Sequence, residues 1–227
     1  MAETISVIIP ALNEEGQIEI TLRSLEELDV GEVIVVDGGS RDRTRDTAMG
    51  AGANFLVSPP GRARQMNRGA GVARGDVLVF LHADTRLPLS AAANIRSALQ
   101  DPQCVGGRFD VRLDGERWAF KMIEFMINLR SRLSRVATGD QAIFVRRRVF
   151  ERMGGFPDVP LMEDLAFSKR LKKEGRVACL RTRVSTSSRR WERDGVWRTV
   201  FKMWLLRALF VAGVSPNFLK RFYKNVR

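Results

Sequence analysis

The run Val77-Leu78-Val79-Phe80-Leu81, which stops abruptly at His82-Ala83-Asp84, most constrains the fold of this chain. An apolar stretch of strand length without polar alternation reads as a strand covered on both faces, as in a parallel sheet. Two further runs share the form: Ile5-Ser6-Val7-Ile8-Ile9 ends at Pro10, and Val33-Ile34-Val35-Val36 ends at Asp37. Between these two lies a helical stripe of Ile18, Leu22 and Leu25 that continues to Leu28, with Asn13 as its expected N-cap. Residues 54–57 give another strand, Pro59-Pro60-Gly61 a sharp loop, and the next helix carries Arg62, Arg64, Gln65 and Asn67. This β-α alternation with short connections predicts a parallel, right-handed, doubly wound sheet over the first hundred residues.

The pattern changes after Pro102. Residues 104–113 read as a long strand. From Glu116, the residues Trp118, Met122, Phe125, Met126, Leu129, Leu133 and Val136 fall on one helical face. Residues 139–145 read as a strand with a polar start, Gly154-Gly155-Phe156 as a turn, and 162–173 as a helix. A last helix is expected from about Asp194 to Ala212. No internal repeat or low-complexity linker interrupts the chain.

Net charge decides which partners are open. With 38 Lys and Arg against 26 Asp and Glu, the chain carries +12. That admits polyanions, anionic lipid surfaces and phosphorylated small molecules, although a solubilising arginine-rich surface accounts for many of the charges. Cys104 and Cys179 match no C-x-x-C or zinc spacing, and read as buried small hydrophobes in a reducing compartment. The first strand begins almost at once, without the pattern of a signal peptide. No apolar run reaches the roughly 18 residues that a membrane span needs.

Polar residues at the carboxyl ends of such strands sit where open α/β sheets bind ligands. On an extended backbone His82 and Asp84 point the same way, so they read either as a divalent-cation site or as a polar turn. The helix start after Pro10-Ala11-Leu12-Asn13-Glu14, beside Asp37, makes a crevice for a nucleotide. A dehydrogenase-type dinucleotide site is disfavoured, because no G-x-G-x-x-G follows the first strand. Arg62 and Arg64, with Gln65 and Asn67, supply donors for a diphosphate or else a solvated surface. Glu163-Asp164 opens a helix and reads either as a favourable interaction with the helix dipole or as a general base for an acceptor hydroxyl.

Five segments then occur in a telling order: Ser6-Val-Ile-Ile-Pro-Ala-Leu-Asn-Glu-Glu15, Val35-Val-Asp-Gly-Gly-Ser-Arg-Asp42, Phe80-Leu-His-Ala-Asp84, Gly154-Gly-Phe156 and Glu163-Asp164. With them the chain resembles family 2 glycosyltransferases of the GT-A fold. It is most similar to a small bacterial subgroup of stand-alone members carrying Gly61-Arg-x-Arg-Gln-Met-Asn-x-Gly69, His82-Ala-Asp84 and Gly139-Asp-Gln141. The resemblance covers residues 5 to about 191. It implies an α/β fold with a Rossmann-like, mostly parallel central sheet flanked by helices, followed by a helical C-terminal extension. Residues 1–193 are the expected transferase domain, with a nucleotide-binding half (1–100) and an acceptor half (101–193), and residues 194–227 the amphipathic basic extension.

The implied activity is inverting, metal-dependent transfer of a sugar from a nucleoside diphosphate, UDP favoured, to an acceptor hydroxyl or lipid phosphate. By position, Pro10, Ala11, Asn13, Glu14, Asp37 and Gly38 fall to the base and ribose, and Arg62, Gln65 and Ala83 to the rest of the donor. Asp84 matches the second aspartate of the family's D-x-D and falls to Mn²⁺ or Mg²⁺. Asp164 matches the base, supported by Glu163, while Asp140, Gln141, Arg190 and Trp191 fall to the acceptor. Two departures stand out: His82 replaces the first aspartate of D-x-D, and Ser187-x-x-Arg190-Trp191 lacks the glutamine of the processive Q-x-x-R-W. The second implies a non-processive enzyme.

In the extension, Trp197, Val200, Phe201, Trp204, Leu205, Ala208, Val211 and Ala212 form a stripe that Met203, Leu206 and Phe210 widen. Arg198, Lys202 and Arg207 flank it, and Lys220, Arg221, Lys224 and Arg227 follow. Such a helix packs on the core, forms a homodimer, or lies on anionic lipid where it meets a lipid-linked acceptor. The expected setting is the cytoplasm, with the inner face of the cytoplasmic membrane open as the working surface. The rivals are a nucleotidyltransferase, which needs a glycine- and lysine-rich loop where Ala11-Leu12-Asn13 stands, and a nonenzymatic nucleic-acid binder, which needs aromatics interleaved with basic residues. Nucleic acid is therefore not an expected partner.

Overall fold

The structure, a computed structural model, describes residues 3–223; the side chain of Arg190, and Lys224 and Arg227, lie outside the described residues. In chain order the elements are β1 (Ile5–Ala11), α1 (Glu15–Arg23), β2 (Glu32–Asp37), α2 (Thr44–Gly50), β3 (Asn54–Val57), α3 (Arg62–Ala70), β4 (Val77–Phe80), β5 (Thr85–Arg86) and α4 (Ala91–Leu99). There follow β6 (Cys104–Leu113), α5 (Trp118–Ser134), β7 (Ile143–Arg146), α6 (Arg147–Arg152), α7 (Glu163–Glu174), β8 (Arg176–Thr186), α8 (Arg189–Asp194), α9 (Val196–Val211) and α10 (Pro216–Lys220). The strands form one sheet in the order β3-β2-β1-β4-β7-β6-β8-β5.

The first four neighbours pair in parallel, as the β-α alternation requires. Their side chains divide between two cores. Ile5, Val7, Ile9, Val35, Val77 and Val79 pack on one face with Ile18 and Leu22 of α1. Ile8, Ile34, Val36, Leu78 and Phe80 pack on the other with Met66 of α3. Both faces are covered, which is why these strands read as unbroken apolar runs. On the second face Phe80, Phe150, Phe156 and Phe167 cluster with ring centroids 4.2–6.5 Å apart. Gly69 lets α3 press close to the sheet, since a Cβ there would lie 2.6 Å from Ile8.

Beyond β4 the sheet turns mixed. β7 runs antiparallel to both β4 and β6, and β8 is parallel to β6. The sequence reading of residues 139–145 as one strand is corrected here: residues 139–141 form a 3₁₀ turn before β7 begins at Ile143. Past Gly107, one edge of β6 has no strand beside it. Polar side chains of α5 serve that edge instead. Asn128 donates to Val111 C=O (3.0 Å) and accepts from Val111 N–H (2.8 Å), and Glu124 accepts from Leu113 N–H (2.9 Å). Buried backbone groups must be paired, so the inward face of α5 is Phe120, Ile123, Glu124, Asn128 and Ser131. The apolar stripe read from sequence lies elsewhere on the helix, with Trp118, Phe125, Leu129 and Leu133 exposed.

The C-terminal extension repeats this inversion. Gly195, at φ +80°, separates the short α8 from α9, and α9 is the last helix read from the sequence over about 194–212. From α9, Leu206 is buried with Leu161, Met162, Leu165 and Leu219, and Val196 and Val200 pack toward Phe120 and Ile123 of α5. The outer face carries Trp197, Phe201, Trp204, Leu205 and Val211, all exposed. Among the described residues no helix is long and apolar enough to cross a membrane.

Candidate active site

The carboxyl ends of β1, β2 and β4 come together because Ala11 pairs with Asp37 and Ile8 with Phe80. Asn13 is not an N-cap. It is left-handed (φ +52°), donates its N–H to Ser40 Oγ (2.8 Å) and accepts from Arg41 N–H (2.9 Å) through Oδ1. The first N–H groups of α1 are served from the second loop: Glu14 N–H donates to Thr44 Oγ1 (2.7 Å) and Glu15 N–H to Asp42 Oδ2 (3.1 Å). Asp37 closes its own loop by accepting from Gly39 N–H and Ser40 N–H, both at 2.9 Å.

Gln65 stands apart from its expected part in holding the diphosphate. Its amide gives both protons to Ala11 C=O and Val36 C=O, each at 2.8 Å, tying the ends of β1 and β2 together under Gly38. Ala83 likewise belongs to the core: it is fully buried, and its carbonyl accepts from Thr21 Oγ1 (2.8 Å). Gln141 is fully buried too. It accepts from Thr138 N–H (3.2 Å) and donates to Ser131 Oγ (2.9 Å), so it braces the 3₁₀ turn, while its neighbour Asp140 lines the cavity.

His82 and Asp84 do not lie on an extended strand. Thr85 N–H donates to His82 C=O (3.1 Å), which bends the segment into a turn. His82 then packs on Gly139, where a Cβ would lie 2.3 Å from its Nε2. Asp84 is half-buried, with its carboxylate 3.7 Å from Arg189, and the same guanidinium donates to Glu14 (3.1 Å). Sequence reasoning named Arg190 of this segment, whose side chain lies outside the described residues; its neighbour Arg189 reaches the strand ends.

At the start of α7, Asp164 Oδ2 accepts from Gly139 N–H (2.8 Å) and Oδ1 from Leu165 N–H (2.7 Å). Burial pushes the Asp164 carboxyl above its ordinary range, against the pull of Gly139 N–H, Arg207, Leu165 N–H and Arg62. Glu163 is buried, 4.0 Å from Arg62. Burial opposes the Arg62 charge, but Tyr223, Glu163, Asp164 and Asp84 together raise its pKa.

Glu14, Arg62, His82, Asp84, Asp140, Glu163, Asp164, Arg189 and Trp191 all line one cavity of about 1050 Å³. Arg130 and Arg207, which sequence reasoning did not single out, line it as well. The signal available for them was a lone cation set within an apolar stripe. Pro10 borders a small adjoining pocket shared with His82, Gly139 and Asp164.

Among the described residues no group of three or more His, Cys, Asp or Glu side chains is placed to hold a metal ion. The donor chemistry fits a shared ion instead. Mg²⁺ and similar hard cations bind through one or two carboxylates plus substrate phosphates and water, and Asp84 supplies one such carboxylate with a diphosphate-sized space beside it.

Comparison with known proteins bears on the fold and family. "Glucosyl-3-phosphoglycerate synthase" of Mycobacterium tuberculosis is 37% identical over 93 residues, 36% of this chain and 29% of that enzyme. Its structure with Mn²⁺, UDP and glucosyl-3-phosphoglycerate superposes with a TM-score of 0.57 at 23% identity, over 80% of this chain and 70% of that one. "Probable glycosyltransferase YdaM" of Bacillus subtilis is 27% identical over 97% of this chain and 58% of its own length. The chain thus spans under two thirds of both relatives. A mannosyltransferase of Pyrobaculum calidifontis, solved with GDP-Man and Mn²⁺, superposes with a TM-score of 0.65 at 21% identity, over 82% of this chain and 57% of that one. These likenesses carry the α/β transferase fold with its mostly parallel sheet. The model of Glycosyl transferase family 2 matches residues 6–155, the strands whose ends build the cavity, and this chain therefore belongs to that family.

Proposed function

We propose that this chain is an inverting, non-processive glycosyltransferase whose donor is a nucleoside-diphospho-sugar, UDP-linked by family resemblance. The observation that carries the reading is the gathering of Asp84, Arg62, Glu163 and Asp164 around one cavity at the strand ends. Pro10, Ala11, Asn13, Glu14, Asp37 and Gly38, at the carboxyl ends of β1 and β2, are assigned to base and ribose by family resemblance. Arg62 faces the diphosphate, and Asp84 would hold the Mn²⁺ or Mg²⁺. That ion, when bound, neutralises charge on the departing nucleoside diphosphate. Arg189 supplies a second cation on the same side.

Asp164 is the base. Each of its oxygens accepts one backbone N–H, which fixes the carboxylate and leaves a lone pair on each. Burial raises its pKa toward the working pH, where a base is most effective. It takes the proton of the acceptor hydroxyl as the oxygen attacks the anomeric carbon from the face opposite the leaving group, and the configuration inverts. No carboxylate nucleophile is needed. Glu163 positions Arg62, and Asp140 and Trp191 face the acceptor.

The working place of the enzyme follows from its outer surface. The exposed aromatics of α9 lie beside Arg198, Lys220 and Arg221, also exposed. An apolar face with cations at its margin suits an anionic lipid surface, so the enzyme works at the inner face of the cytoplasmic membrane without spanning it. Donor chemistry is tested by calorimetric titration of UDP and GDP, with and without Mn²⁺, on wild type and Asp84→Ala. Tighter binding of one diphosphate in the presence of Mn²⁺, lost in Asp84→Ala, is expected. Absence of any nucleotide binding would end the transferase reading.

A further inference from the structure

The cavity extends well past the catalytic carboxylates, and its far part has a different chemistry. Beside Asp140 and Asp164 the lining holds two guanidiniums, Arg130 from α5 and Arg207 from α9, and the apolar side chains of Ile123, Met126, Val200 and Met203. Among the described residues, four buried side-chain atoms of this region have no hydrogen-bond partner: Arg130 Nε, Arg207 Nε, Asp140 Oδ1 and Thr199 Oγ1. Buried polar groups of native proteins are rarely left unpaired, and a cluster of orphans around one space marks a missing polar ligand.

The sign of that ligand follows from the charges. Arg130 is pushed down to about 10, first by burial and then by repulsion from Arg207, a fall that the nearby Asp140 and Asp164 carboxylates only partly offset. An anion between them relieves the repulsion and supplies acceptors for their unpaired donors. Planar guanidiniums suit a phosphate oxygen best. The same lining carries a set of apolar side chains from α5 and α9. There Leu129, Leu133 and Trp204 are at once part of the lining and exposed. A hydrocarbon chain seated on that wall has a dry path to the outside.

Resting on the transferase reading, we infer that the acceptor is an anionic amphiphile: a phosphate-bearing headgroup held between Arg130 and Arg207, with its hydrocarbon tail lying between α5 and α9. A soluble sugar phosphate would use the first half of this site and leave the second bare. A neutral lipid would use the second and leave the Nε–H groups of both guanidiniums without an acceptor. One ligand that carries both groups satisfies both halves.

The probe is dodecyl phosphate below its micelle concentration, titrated by calorimetry and by the fluorescence of Trp191 and Trp204, both in the lining. Inorganic phosphate and dodecyl maltoside are the half-ligand arms. Wild type is expected to bind dodecyl phosphate at least about 30-fold more tightly than either half. Arg207→Gln is expected to weaken it about tenfold or more, and Met203→Glu, which brings a carboxylate to the tail wall, to weaken it similarly. Affinity for UDP with Mn²⁺ stays unchanged in both variants, which also reports that each has folded. Equal binding of inorganic phosphate and dodecyl phosphate would overturn the tail, and unchanged binding in Arg207→Gln would overturn the headgroup site. Dodecyl phosphate binding without any nucleotide binding would instead sink the transferase reading while leaving this site standing.

Discussion

The two halves of the molecule treat the same sequence signal in opposite ways. In the donor half the helical stripe Ile18, Leu22, Leu25 and Leu28 is buried against the sheet, at most 7% exposed. In the acceptor half the stripes of α5 and α9 face outward, with Leu133 80% and Phe201 73% exposed. The periodicity is equally clear in both. What differs is the need of the sheet beside each helix. β1, β2 and β4 have strand neighbours on both sides, so the helices over them pack mainly on apolar side chains and serve backbone carbonyls only at the strand ends. β6 has an open edge, and the polar stripe of α5 is drawn in to close it. Unpaired backbone groups are costly enough to overrule the apolar preference of a whole helix face. The apolar stripe is then left to line the cavity and the surface.

The largest expected effect tests the chemistry on the acceptor side of this division. Asp164→Asn keeps the shape of the side chain and removes the base. Release of nucleoside diphosphate from the nucleotide sugar should fall by about 10²- to 10⁴-fold, the usual contribution of a positioned base, with donor affinity unchanged. The pH profile sharpens the assignment. A base must be deprotonated, so the wild-type rate rises with pH through an apparent pKa above the ordinary carboxylate range, where burial has moved Asp164. That limb should vanish in Asp164→Asn. A variant that keeps the wild-type rate would remove Asp164 from the chemistry.

Much of this was legible in the sequence, and the rest was hidden for identifiable reasons. The strands at 54–57 and 104–113 were readable to the residue, because composition and flanking turns mark them sharply. Asp84 was readable from the end of an apolar run, while Glu163 and Asp164 were read at a helix start and joined to it only by the family resemblance. Gln65, Ala83 and Gln141 were not, since only three-dimensional accounting shows which carbonyls take their protons and which methyl is buried. Arg130 and Arg207 escaped for a related reason. On a helical wheel each is a flanking charge, and only the pairing of α5 with α9 around one space brings them to the same wall.

A smaller effect separates the two faces of α5 directly. Asn128 and Leu129 are adjacent, one buried on the β6 edge and the other exposed. Asn128→Ala orphans a backbone N–H and a C=O of Val111, at roughly 1–3 kcal/mol for each group left unmet. Leu129→Ala should change stability by no more than about 0.5 kcal/mol, as surface substitutions do. Urea unfolding midpoints measure both. Loss of stability greater for the leucine than for the asparagine would break the account of why α5 turns its polar face inward.

The smallest expected effect on the fold belongs to the outer face of α9, and it is the most informative about what that face is for. Phe201 is 73% exposed and lies outside the cavity lining, so Phe201→Glu should leave the unfolding midpoint and donor affinity where they were. Sedimentation with vesicles of phosphatidylglycerol and phosphatidylcholine should show the opposite. Wild type pellets with the anionic vesicles and much less with pure phosphatidylcholine, in a salt-sensitive way, because cations flank the apolar face. The variant loses that partition, since a carboxylate on the inserting face meets both a hydrocarbon boundary and a negative surface potential. If wild type stayed in solution and behaved as a dimer that Phe201→Glu dissociates, the apolar face would belong to a second copy of the chain. The contrast between the halves would then be one of assembly, with lipid no longer its cause.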